Sequence, residues 1–72
     1  MPAPELRQIA TLTFTNQEDG GEGVAIVKAA TGQVALTLSL IAGSDTEAFF
    51  TLAAAEQLAG AISDALIVAR SG

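Results

Sequence analysis

Val34-Ala35-Leu36-Thr37-Leu38-Ser39-Leu40 alternates bulky apolar residues with small or hydroxylated ones at a strict period of two. A β-strand sends successive side chains to opposite faces, so Val34, Leu36, Leu38 and Leu40 line one face. Ala35, Thr37 and Ser39 line the other, and neither set contains a charge. The first face demands a hydrophobic cover. The second stands between water and a partner surface.

Three further strands surround this one. Leu6 to Thr15 reads as a strand, with Leu6, Ala10, Leu12 and Phe14 on one face and Arg7, Ile9, Thr11, Thr13 and Thr15 on the other. Asn16 to Gly23 (NQEDGGEG) is a loop by composition. Val24 to Ala30 is a second strand, joined to Gln33–Ile41 by Thr31-Gly32, a two-residue connection in which glycine supplies positive φ. Ala42 to Asp45 makes a turn into a short fourth strand, Thr46 to Phe50.

The chain then becomes helical. Thr51 is placed as an N-cap, its hydroxyl available to an unpaired backbone N–H. Leu52 to Ala69 is rich in Ala, Leu, Glu and Gln, all good helix formers. At about 100° per residue, Ala55, Leu58, Ala59, Ile62, Ala65, Leu66 and Ala69 share one stripe. Glu56, Gln57, Gly60, Ser63, Asp64 and Arg70 take the opposite side, and Ile67 and Val68 fall off the stripe. The expected architecture is α+β: an antiparallel β-meander of three to four strands with one C-terminal helix packed on one face, β-β-β-β-α. Residues 1–5, with two prolines, form a flexible leader, and 6–70 a single small α+β domain.

Composition narrows the chemistry. Seventy-two residues sit near the lower size at which one hydrophobic core suffices. Cysteine and histidine are both absent, which removes disulfides, thiolate nucleophiles, the usual general base and transition-metal sites. No serine has a Gly-x-Ser-x-Gly context, and Gly20-Gly21-Glu22-Gly23 has no lysine and opens no helix, so it is not a phosphate loop. The Asn16–Glu22 segment carries oxygen donors, yet lacks the spacing of a calcium-binding EF-hand loop. These features predict a protein that is not an enzyme and takes no cofactor or metal.

Eight acids against three bases give a formal charge of −5. That balance disfavours direct contact with nucleic acid or an anionic membrane surface, both of which require cations. The N-terminus lacks signal-peptide features, and no uninterrupted apolar run approaches the ~20 residues of a membrane span, so the expected location is cytoplasmic.

Two surfaces are candidates for contact. The uncharged Thr/Ala sheet face (Ile9, Thr11, Thr13, Ala35, Thr37 and Ser39) and the helix-end residues Ile67 and Val68 are the candidate interface of a homo-oligomer, most simply a dimer. In a meander, the 16–23 loop and the 42–45 turn lie at the same end of the sheet. Glu18, Asp19, Glu22, Asp45 and Glu47 would then form an acidic rim suited to a basic protein. The leading expectation is a non-catalytic protein–protein interaction module. The alternative is a small acidic phage- or plasmid-type inhibitor, anti-CRISPR-like or a DNA mimic, that blocks a nucleic-acid-binding protein. Eight carboxylates, five of them in and beside loops, are few for a phosphate-like array.

Overall fold

In a computed structural model, which describes residues 5–41, 43 and 45–71, four strands are followed by one helix. The elements are β1 (Arg7–Thr15), β2 (Glu22–Ala30), β3 (Gln33–Leu40), β4 (Thr46–Thr51) and α1 (Leu52–Ser71). The strands pair antiparallel in the order β1-β2-β3-β4, so the sheet is a simple meander with the helix against it. Residues 1–4 of the expected leader, and Ala42 and Ser44 of the expected turn, lie outside the described residues.

Register divides the side chains into two faces. On one lie Ala10, Leu12 and Phe14 of β1, Ala25 and Val27 of β2, Val34, Leu36, Leu38 and Leu40 of β3, and Ala48 and Phe50 of β4. This is the face the helix meets. The other carries Thr11, Thr13, Val24, Ile26, Lys28, Ala35, Thr37, Ser39, Glu47 and Phe49.

The first strand departs from plain alternation. Its register shifts between Gln8 and Ala10, leaving Ile9 without a Cα partner in the ladder. One extra residue in a strand reverses the side-chain phase beyond it. Arg7 therefore pairs with Ala29, in phase with the apolar face, and not with the Thr11 set as expected. Gln8 moves to the Thr11 side instead, where its Nε2 donates to Thr11 Oγ1 at 2.6 Å.

Local chemistry accounts for the turns and the helix start. Gly32 sits at φ +78° in the β2–β3 hairpin and Gly20 at φ +75° in the β1–β2 loop, conformations costly for residues with a Cβ. Thr51 Oγ1 accepts from the Ala54 N–H at 3.2 Å, the expected N-cap bond to the third helical residue. Gly60, inside the helix, has open space where a Cβ would stand, so no packing constraint requires it.

The core is thin. Ala35, fully buried on the outer face between Lys28 and Phe49, is the one buried hydrophobic residue among those described. The backbone of the helix comes close to β3 and β4, whereas β2 meets it only across a gap at Val27 and β1 not at all among the described residues. Ala54 and Ala55 are half-buried, while every residue from Glu56 to Ser71 is exposed. Between helix and sheet remains an apolar cavity of about 210 Å³, bounded by Val27, Leu36 and Phe50 below and by Ala55, Leu58 and Ile62 above. Close-packed interiors hold few voids larger than a water molecule, so this helix is seated but not sealed.

Candidate interaction surfaces

The outer sheet face is more charged than β3 alone suggests. Lys28 of β2 and Glu47 of β4 flank β3, and their side chains meet across it, Nζ to Oε2, at 3.5 Å. The same Glu47 oxygen accepts the Thr37 hydroxyl at 2.8 Å, and Ser39 Oγ donates to Asp45 Oδ1 at 2.7 Å. The face is therefore not an uncharged Thr/Ala surface, because the neighbouring strands bring charges onto it. Three of its hydroxyls, those of Thr11, Thr37 and Ser39, are already engaged within the chain. Thr11, Thr13, Ala35, Thr37 and Ser39 do share that face, whereas Ile9 sits at the bulge, out of the ladder. Ile67 and Val68 lie far along the helix, 63% and 72% exposed.

These bonds perturb Glu47. The Thr37 hydroxyl holds its carboxyl below the ordinary carboxylate range, partial desolvation opposes this, and Lys28 adds a smaller downward pull. A group whose pKa is depressed on folding stabilises the fold above its unfolded pKa, and that contribution is lost as pH falls through the folded value. Glu47→Gln and Thr37→Val should each flatten the dependence of stability on pH in the acid range below the usual carboxylate pKa. Urea titrations across that range test this; an unchanged slope in both variants contradicts it.

The acidic rim is partly assembled. Gly23 pairs with Leu40, and the Ile41 N–H donates to the Glu22 carbonyl at 3.3 Å, which brings the 16–21 loop and the β3–β4 connection to one end. Glu18, Asp19, Glu22 and Asp45 lie in or beside these connections. Glu47 is instead placed on the sheet face, beside Lys28. The loop is fastened by its own bonds: Asn16 Oδ1 accepts from the Glu18 N–H at 3.1 Å and Asp19 Oδ1 from the Gly21 N–H at 2.8 Å. Among the described residues no cluster of three or more acids could hold a metal ion.

The apolar face, expected to be a covered core, is open as well. Leu12 is 56% exposed, Leu38 41%, Ile62 54% and Leu66 46%, although all four belong to the set expected to form the core. By length and composition α1 is also apolar enough to cross a membrane, with Glu56 and Asp64 within it. No protein-family model, curated protein or solved structure matches this chain.

Proposed function

We propose that this chain is a non-catalytic protein–protein interaction module that works as a homo-oligomer, most simply a dimer, in the cytoplasm. One observation carries the reading: the chain leaves most of its apolar residues in water, with Ala35 alone buried among the described hydrophobic residues. Contiguous apolar patches beyond a few hundred Å² mark interaction surfaces in soluble proteins. A lipid setting is disfavoured by Glu56 and Asp64, since an unpaired acid at the bilayer centre costs roughly 2.5–3.5 kcal/mol.

The rim of Glu18, Asp19, Glu22 and Asp45 supports a second contact, with a basic protein, weakened by salt as exposed charges are screened. Inhibition of a nucleic-acid-binding protein is the second reading, and the net charge of −5 favours it. Sedimentation equilibrium at micromolar concentration tests the first. The expected mass is at least twice 7.2 kDa; a folded species at the mass of one chain overturns it.

A further inference from the structure

We propose that the occupant of the open apolar face is a second copy of this chain, the α1 of each copy lying across β1 and β2 of the other. The proposal rests on the homo-oligomer reading and specifies its geometry.

Width gives the first argument. Adjacent strands lie about 4.8 Å apart and a helix with its side chains is about 10–12 Å across, so one helix covers about two strands. In this chain α1 approaches β3 and β4 and faces β2 only across the cavity at Val27, which leaves β1 and the adjoining part of β2 with no helix of their own. Leu12 and Phe14 on that uncovered half remain 56% and 37% exposed. A four-stranded apolar face needs two helices, and a symmetric pair of chains supplies them.

The helix is built for two contacts. A stripe facing one sheet needs roughly 100° of arc, whereas the apolar residues of α1 other than Ala53 and Ile67 span roughly 200° at 100° per residue. Leu58 and Ile62 border the cavity over its own sheet. Ala61, Ala65 and Val68 extend the arc to the side, and Glu56 and Asp64 stay on the remaining polar strip. Such a helix can meet a second apolar surface along its Ala61, Ala65 and Val68 side, roughly a quarter-turn around from Leu58 and Ile62, with Glu56 and Asp64 outside both contacts.

Area gives the third argument. A folded chain of 7.2 kDa is expected to expose about 4,100 Å². This one exposes 5618 Å², an excess of about 1,500 Å². A stable dimer of standard size buries only about 800 Å² per partner. The radius of gyration, 14.1 Å, likewise exceeds the roughly 11 Å expected of a compact chain this long.

The absence of cysteine makes the geometry directly testable. Chains carrying Leu12→Cys and chains carrying Ala65→Cys are mixed, equilibrated and treated with a short bis-maleimide, with the mass before linkage measured in parallel. The expected result is a mixed linked species at twice the chain mass, and little linkage of Ala65→Cys to Thr13→Cys on the opposite sheet face. A dimeric mass with no Leu12 linkage, or with preferential Thr13 linkage, overturns this geometry and leaves the homo-oligomer reading standing. A monomeric mass overturns both. A monomer that co-sediments with neutral phosphatidylcholine vesicles assigns the face to a bilayer and overturns both as well.

Discussion

Leu12→Glu is expected to abolish assembly and to unfold most of the protein. At 56% exposure in the single chain, a glutamate at this position would have free access to water and cost no more than about 0.5 kcal/mol, as ordinary surface substitutions do. Covered by a second copy, the same carboxylate loses its hydration without gaining a partner. That adds several kcal/mol to a lost leucine contact worth roughly 1.5–3 kcal/mol. Domains of this size have only about 5–15 kcal/mol in total, so the dimer should fail and its subunits lose structure. Circular dichroism and sedimentation read the two effects. Thr13→Glu, one residue away on the opposite face, should leave both nearly unchanged. Equal, mild effects of the two substitutions would mean that the apolar face stays in water.

Gly23→Ala is expected to cost about 1–3 kcal/mol, the usual range for forcing an extra methyl into an occupied site. Gly23 is buried, and a Cβ there would stand 2.5 Å from Phe14 Cζ and 2.9 Å from Leu40 Cδ2. The Phe14 ring lies across β2 over its paired residue, so this position accepts no side chain while the ring is present. The cost should shrink to what the Leu40 methyl alone imposes when Phe14 is itself replaced by Ala, because contacting residues couple by amounts of this order. A double-mutant cycle on urea unfolding measures the coupling. Independent, additive effects would show that the ring does not occupy that space in solution.

Much of the fold was legible because it rests on local rules. The period-two pattern of Val34–Leu40, the Thr31-Gly32 connection and the Thr51 cap each depend on neighbouring residues, and each stands within a residue or two of its expected place. The bulge at Ile9 escaped because Arg7-Gln8-Ile9 offers no composition cue, and one extra residue reverses the phase before it. The charge on the outer face escaped for a different reason. Lys28 and Glu47 are 19 residues apart and meet only once two registers are set. The Thr37 hydroxyl, read as free to meet a partner, is engaged by Glu47 as a consequence.

The apolar face shows the limit of pattern reading most clearly. Alternation identifies Leu12, Leu36 and Leu38 as inward residues, and helical spacing identifies Leu58 and Ile62. Neither says whether one helix is wide enough to meet them all. The comparison of a single helix with four strands turns an expected core into the main candidate interface. It also moves the proposed contact from the Ala35-Thr37-Ser39 face to the Leu face of the same strand.

Completion of the fold by a second copy is tested most directly by unfolding at different protein concentrations. When folding and association are one step, dilution destabilises by mass action, and a hundredfold change in concentration is worth about 2.7 kcal/mol. The urea midpoint should therefore rise steadily as the concentration rises across that range. A midpoint that stays constant would show that one chain folds alone, and would contradict the account.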